Sequence, residues 1–402
     1  MANSGAAARM NTSIYLDNSA TTQVRPEVVE AMVPYLGKIW GNPSSIHQFG
    51  RQAAEALSSA RQQVAQLLNC LPEEIYFSPC GTYSNNTAIV GRARYVEANR
   101  LGRHMITSAI EHPAVLGPAR HLEAQGWDVT YLPVSSQGIV NPEDLRRSIS
   151  SNTSIISIMW ANNEIGTVQP VAQLAQVANA AGVYFHTDAV QCVGKLPLDM
   201  TAVPASSLSL SGHKFHAPKG IGVLYVRQGV NLMPLVWGGG QEQGLFPGTE
   251  ALPNIVGIGL AAQLATQELD GNMSSLRQMQ QVFLDELLSV PGVRLTGAQD
   301  IEHRLPGHVS LSIEGGDGEA LVLKADLKGI CISAGSACHK GVKSPSHIIS
   351  AIGLPARDAL GTVRISAGRF NTTVECQRAA RSLASILSNL NSNTPKACPS
   401  LS

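Results

Sequence analysis

Short apolar runs alternate with amphipathic stretches along most of the chain. Residues 75–77, 105–106, 129–132, 155–160 and 183–186 are apolar runs too short for helices and read as strands. Between them, 26–36, 51–68 and 171–181 repeat apolar positions at helical spacing. This alternation predicts an α/β fold, a mainly parallel sheet with helices on both faces. From about residue 256 the pattern changes. A long helical stretch reaches 290, strands are expected at 304–313 and 330–332, and helices at 346–352 and 373–390. The expected organisation is a large domain over 15–255 and a smaller α/β domain over 256–390. Residues 1–14 and 391–402, rich in small and polar residues with little periodicity, are expected to be flexible tails.

Composition narrows the function classes. The 402 residues suffice for two domains, and 44% hydrophobic content supports a large core. Only 14% of residues are charged, which suggests that part of the surface is buried against another subunit. The net charge is zero, so nucleic acid and anionic membrane are not expected partners. No apolar run approaches a membrane span, and the first residues lack the apolar core of a secretory signal. The seven cysteines are irregularly spaced without a CxxC pair, which argues against a disulfide framework and against a zinc site. A reducing compartment, the cytoplasm, is expected, with no metal.

The densest chemistry lies in SLSGHKFHAPKGIG, residues 209–222, where Ser211, His213 and Lys214 share four positions. A lysine fixed there, beside a phosphate site and away from water, suits Schiff-base chemistry. Upstream, FHTDAVQ (185–191) places Asp188 at the end of an apolar run. A lysine to hold an aldehyde and a buried aspartate to keep a pyridine nitrogen protonated are the groups a protein supplies to pyridoxal phosphate. In FSPCGTYSNN (77–86), a strand passes through Gly81 and Thr82 into a helix, whose first N–H groups can bind phosphate. Thr82, His112, Asn163 and Asp188 all follow apolar runs, where ligands of parallel sheets bind. Taken singly, the 77–86 segment reads more readily as a capped turn and His112 as a loop histidine, and Asn163 fits an asparagine turn.

Together, these segments with SAIEHPAV (108–115), WANNEIGTVQ (160–169), GGGQEQGLFPGT (238–249), ISAGSACHKG (332–341) and VRISAGRFNT (363–372) resemble the cysteine desulfurases. These are fold-type I pyridoxal phosphate enzymes of the class V aminotransferase superfamily, and the resemblance runs from Tyr15 to about Leu390. It implies a mainly parallel seven-stranded sheet in the large domain. It also implies that His112 stacks on the cofactor ring, that Asn163 and Gln191 reach its phenolic oxygen, and that Ser211 and His213 bind its phosphate. Thr249 would reach the cofactor phosphate of a second subunit, making a homodimer. Arg364 would pair with the substrate carboxylate, a match for a guanidinium fork.

Cys338 would take sulfur from L-cysteine as a persulfide, leaving L-alanine. The sulfur would pass to an acceptor protein such as an iron–sulfur scaffold. His339 and Lys340 beside it would favour the thiolate, whereas Cys70, Cys192, Cys331 and Cys376 fit buried packing. The chain departs from the family at four places. Cys80 stands for a glycine, Tyr83 for a glutamate, and Gln243 and Phe246 for arginines whose loss would weaken phosphate or substrate anchoring. A selenocysteine lyase shares this scaffold, a cystine or cysteine-sulfoxide lyase would need no sulfur-accepting Cys338, and an impaired homologue acting as a binding subunit would accommodate the departures.

Overall fold

The computed structural model describes residues 13–335, 337–339 and 342–392. The chain divides into two compact units. The larger comprises residues 19–163 and 167–272; the smaller comprises residues up to 18, 164–166 and from 273 onward. β1 (Ile14–Tyr15) belongs to the smaller unit and pairs in parallel with a late strand, Ile14 opposite Ile330. Ile14, expected to lie in a tail, is therefore buried. Residues 391–392, also expected in a tail, close helix Thr373–Ser392, and the parts 1–12 and 393–402 lie outside the described residues.

The larger unit is built on seven strands: β2 (Ile75–Ser78), β3 (His104–Ser108), β4 (Asp128–Leu132), β5 (Thr153–Ser157), β6 (Tyr184–Asp188), β7 (Ser207–Ser211) and β8 (Gly222–Val226). Their order across the sheet is β2-β8-β7-β6-β5-β3-β4. The pairs among β7, β6, β5, β3 and β4 are parallel, and β8 runs antiparallel to both neighbours. Every residue of β3, β5, β6, β7 and β8 is buried. That accounts for the unbroken apolar runs in several of them, since such strands have no solvent face.

β7 departs from that rule and is not among the strands expected from the apolar runs. Its sequence, SLSLS, alternates like a half-exposed strand, yet both faces are covered. The serines are accommodated by bonds to the neighbouring strand. Ser207 Oγ lies 2.6 Å from Tyr184 Oη, and Ser209 Oγ lies 3.0 Å from His186 Nε2. His186 Nδ1 in turn meets Ser157 Oγ at 2.8 Å. Burial pushes the His186 imidazole down to about 3, so it bridges the two serines as a neutral ring.

Helix Gln48–Leu68 turns Ala60, Val64 and Leu68 inward at four-residue spacing and ends at Asn69, a left-handed cap with φ of 49°. Helix Leu252–Gln267 lies against it. A Cβ on Gly259 would sit 2.7 Å from Ala60 Cα, so the close approach depends on the missing side chain. The domain boundary expected at 255/256 falls inside this helix. Its packing places it in the larger unit, and the division comes later, at 272/273. The helix expected over 26–36 is also two pieces, Pro26–Met32 and Pro34–Gly37, because proline starts a helix more readily than it continues one.

In the smaller unit, β9 (Val293–Leu295), β10 (His308–Ile313), β12 (Ser333–Ala334) and β15 (Thr362–Ser366) form an antiparallel sheet in the order β12-β15-β10-β9. β11 (Ile330–Cys331) pairs with β1, and β13 (Ala337–His339) with β14 (Val342–Ser344). The strand expected from 304 begins only at 308, because Arg304 has another task. Its buried guanidinium donates to the carbonyls of Ala298, Thr296 and Ile165, holding the 164–166 segment in this unit. Helices Leu269–Leu287 and Thr373–Ser392 supply Leu276, Phe283, Leu383 and Leu387 to a core completed by Leu311, Val363 and Ile365.

Two glycines test this packing. Gly259→Val should lower the unfolding free energy by about 1–3 kcal/mol through overpacking. Gly271, within helix Leu269–Leu287, faces open space: a Cβ there would have no neighbour within 4 Å, and Gly271→Ala should raise stability by about 0.5–1 kcal/mol. Urea unfolding checks both; equal effects would contradict the close helix crossing.

Candidate active site

The carboxyl ends of the parallel strands of the larger unit open into one cavity of about 250 Å3. It is lined by Gly81, Thr82, His112, Asn163, Asp188, Gln191, Ser211, His213 and Lys214, with Cys80, Asn85 and Met159 among the others. The expected cofactor residues of this unit thus meet in one space, Thr249 excepted.

Asp188 is the last residue of β6, nearly buried, and anchored twice. Its Oδ2 accepts from Asn85 Nδ2 at 2.7 Å and its Oδ1 from Val190 N at 3.0 Å. Lys214 lies on the tight turn Gly212–Lys214 after β7, and its Nζ donates to the carbonyls of Ser19 (2.7 Å) and Ala20 (2.8 Å). The neighbouring residues continue this tie. His213 Nδ1 meets Thr21 Oγ1 at 3.1 Å, and Thr22 N donates to His213 O at 2.9 Å. Burial, then the charges of Lys214 and Lys219, push the His213 imidazole down to about 4. His213 is therefore a neutral hydrogen-bonding group near neutral pH.

Helix Gly81–Asn86 begins after Cys80 with no side-chain cap and runs through a π-helical turn, Thr87–Gly91, into Arg92–Ala98. Its first-turn N–H groups are suited to an anion. His112 caps helix Pro113–Ala124, its Nδ1 accepting from Ala114 N at 3.1 Å, which leaves the ring proton to Nε2. Asn162 fixes the next loop, donating from Nδ2 to Ile110 O at 2.9 Å, while Asn163 beside it lines the cavity.

These groups fit the cofactor that the sequence resemblance implies. Gln191, 5% exposed, donates from Nε2 to Ser19 O at 3.0 Å, and its Oε1 has no protein partner. Asn85 Oδ1, on a residue 1% exposed, also has none. Buried polar atoms without partners at a cavity wall are suited to a polar ligand. Asp188 can accept from a ring N–H, and Ser211, Thr82 and the helix start can hold a phosphate. Among the described residues no group of His, Cys, Asp and Glu could hold a metal.

Sequence reasoning missed Asn85, Glu111 and residues 19–22. Ser19 and Ala20 act through backbone carbonyls, which leave no mark on residue type. Glu111 is fully buried, with Oε1 accepting from Ser108 Oγ and from Met159 N at 3.0 Å. Burial pushes its carboxyl up to about 8, outweighing those bonds, and Asp188 adds to the rise. The EH pair thus places a protonated acid beside His112.

Two expected residues are not among those that line this cavity. Thr249 lines another, of about 330 Å3, with Phe77, Tyr83, Phe246 and Glu250. Arg364 lies on β15 of the smaller unit, where its Nη2 bonds Asp17 Oδ1 at 2.7 Å. Cys338 stands in β13 opposite Lys343 of β14; its side chain lies outside the described residues. The departures Gln243 and Phe246 are engaged elsewhere. Gln243 Oε1 accepts from Tyr76 Oη at 3.1 Å, and Phe246 packs beside Leu224 and Val226.

Residues 14–378 match the class-V aminotransferase family. A protein of Methanosarcina thermophila named cysteine desulfurase IscS is 45% identical over 96% of this chain and 94% of its own length. A solved structure described as a NifS-like protein superposes with a TM-score of 0.88 at 35% identity, covering 94% of this chain and all of that one. Another, described as SspA in complex with cysteine, gives a TM-score of 0.78 at 36% identity over 90% of this chain and all of that one.

The Glu111 environment carries a pH signature. In the unfolded chain the carboxyl titrates near 4.5, and in the folded protein near 8. The stability it confers is full below the lower value and is lost as pH rises through the upper one, because the unfolded chain releases a proton that the folded one keeps. From about pH 5 to about pH 8.5, the wild type should lose stability relative to Glu111→Gln. Urea melts across that range check it; a difference independent of pH would refute the protonated state.

Proposed function

The chain belongs to the class-V aminotransferase family, pyridoxal 5′-phosphate-dependent enzymes, and we propose that it acts as a cysteine desulfurase that converts L-cysteine to L-alanine and takes the sulfur onto Cys338. The observation that carries this reading is the single cavity shared by Lys214, Asp188, His112, Gln191, Ser211 and His213. Near-full-length similarity to a named cysteine desulfurase supports the choice of reaction, and the cysteine-bound structural relative supports the choice of substrate.

Bound pyridoxal phosphate supplies an aldehyde that joins amino groups and a ring that takes up the electron pair released at the substrate α-carbon. Lys214 would hold the aldehyde of the bound cofactor, take the substrate α-proton and return a proton to the α-carbon before L-alanine leaves. Asp188, itself fixed by Asn85 and Val190, keeps a proton on the ring nitrogen. Ser211, His213, Thr82 and the first turn after Gly81 hold the phosphate. Gln191 and Asn163 serve the phenolic oxygen, and His112 covers the ring and moves protons. Arg364 binds the α-carboxylate through its guanidinium.

The thiolate of Cys338 attacks the substrate sulfur. The carbon–sulfur bond breaks with its electron pair going to the β-carbon, which takes a proton to become the methyl group of alanine. The sulfur remains on Cys338 as a persulfide until an acceptor thiol removes it, one carried by an iron–sulfur scaffold or another sulfur carrier. The working form is a cytoplasmic homodimer with Thr249 serving the partner's phosphate site. Exposed Trp40, Ile46 and Trp237 on the larger unit support a subunit interface, and the unpaired state of the described cysteines supports a reducing compartment. Among the described residues no helix is long and apolar enough to cross a membrane.

Two substitutions separate the roles. After borohydride reduction, Lys214→Ala should lack the covalent pyridoxyl adduct by mass spectrometry; an adduct at that position's usual peptide would refute the assignment. Cys338→Ala should keep the adduct and the visible cofactor absorbance, while alanine formation from L-cysteine falls at least about 100-fold. Pyruvate in place of alanine would indicate elimination. Faster turnover of L-selenocysteine that survives Cys338→Ala would indicate a selenocysteine lyase.

A further inference from the structure

Asp188 meets the cavity with both carboxylate oxygens already engaged, and each bond is one that it accepts. Asn85 Nδ2 donates to Oδ2 at 2.7 Å, and Val190 N donates to Oδ1 at 3.0 Å. A contact between Asp188 and a ring nitrogen carries one proton, which rests on the nitrogen or on the carboxylate. A hydrogen bond donated to a carboxylate favours its charged form, so each donor moves that proton toward the nitrogen. Glu111, the neighbouring carboxyl on which Asp188 acts, is pushed up to about 8 by burial and adds no charge near neutral pH.

Of the two donors, only Asn85 depends on the choice of side chain. It is 1% exposed, and its Oδ1 has no protein partner. The amide is thus set by its N–H end; reversed, it would place its oxygen against the oxygen of Asp188. Helix Gly81–Asn86 presents it. Thr82 and Asn85 stand three residues apart on one helix face, about 4.5 Å along the axis, and both line the cavity. The helix is held from two strands. Ser84 Oγ lies 2.6 Å from Ser78 Oγ of β2, and a Cβ on Gly81 would lie 3.0 Å from Ser211 Cβ of β7. The turn that offers Thr82 to a phosphate therefore also delivers Asn85 to Asp188 in a fixed place.

We propose that Asn85 is a positioning residue that keeps the proton of the contact between Asp188 and the ring nitrogen on the nitrogen, and so sets how strongly the bound cofactor draws electrons from the substrate α-carbon. This rests on the assignment of Asp188 to the ring nitrogen. A ring protonated at nitrogen takes up an electron pair more readily than a neutral one. Asn85 acts through Asp188 and not on L-cysteine, so removing it should slow the chemical step and leave substrate binding nearly unchanged.

The test loads the full chain with pyridoxal phosphate isotopically labelled at the ring nitrogen and compares Asn85→Leu, Asn85→Ala and Asp188→Asn with the wild type. The wild-type nitrogen resonance should be that of a protonated ring, and all three substitutions should move it toward the unprotonated value. In the two Asn85 variants kcat for alanine formation should fall about tenfold, with KM for L-cysteine within about twofold. An unmoved resonance in both Asn85 variants, with Asp188→Asn moved, overturns the role of Asn85 and leaves that of Asp188 intact. A resonance unmoved by Asp188→Asn overturns both. Where a variant binds the cofactor too weakly for the resonance to be recorded, affinities decide, measured for pyridoxal phosphate and for its carbocyclic analogue, which has C–H in place of the ring nitrogen. Asn85→Leu and Asn85→Ala should lose about tenfold toward pyridoxal phosphate and no more than about twofold toward the analogue. Equal loss toward both reduces Asn85 to a structural bond and overturns the proposal.

Discussion

A sheet covered on both faces offers no water to the polar side chains that its strands carry, and the arrangement of the larger unit follows from that constraint. Each buried polar group must find a partner inside or give up its charge. Tyr184 and Ser207 pair, His186 bridges Ser157 and Ser209, and Thr107 Oγ1 donates to Ser157 O at 2.8 Å. At the carboxyl ends of the strands the same rule shapes the cavity. Asp188 keeps two donors of its own, His213 is neutral, and Glu111 is protonated. The site's electrostatics are therefore continuous with the way the sheet satisfies its interior, and no separate device is needed to leave Asp188 as the dominant carboxylate of the cavity wall.

β2 through β6 read directly from their apolar runs, and β8, GVLYV, carries such a run as well. β7 is hidden because its serines mimic a solvent face, although their partners are the polar side chains of β6. The boundary expected near 255 is displaced for a related reason. A change in pattern marks where one kind of element stops, but Gly259 against Ala60 decides which unit owns the helix. The cavity residues are legible where the chemistry requires a particular side chain, as at Lys214, Asp188 and His112. They are not legible where the protein uses a carbonyl, as at Ser19 and Ala20, or where a side chain only supports another, as at Asn85 and Asp17.

Two of the positions expected to depart from the family pattern, Tyr83 and Phe246, meet in the structure. Tyr83 and Phe246 line one cavity with Phe77, Leu235 and Ile255, so the two positions expected to carry opposite charges are both aromatic here. The loop that carries Phe246 is bent by two consecutive left-handed residues, Glu242 (φ 48°) and Gln243 (φ 54°). Such residues cost roughly 1–2 kcal/mol each. Arg61 offsets that cost by bonding both Glu242 carboxylate oxygens, at 2.9 and 2.6 Å, while Glu242 also accepts from Phe77 N at 2.8 Å. The loop is thus clamped to β2 through Glu242, with Gln243 tied to Tyr76 beside it.

The parallel pairing of β1 with β11 has a consequence for synthesis. Ile14 leaves the ribosome long before its partner Ile330. Leu16 must likewise wait for Ser366. The larger unit, whose segments end at residue 272, can collapse around its own sheet well before then. Throughout that interval the apolar segment around Ile14 and Leu16 has no strand to pair with. How soon the later strands follow therefore sets how long that apolar surface stays exposed.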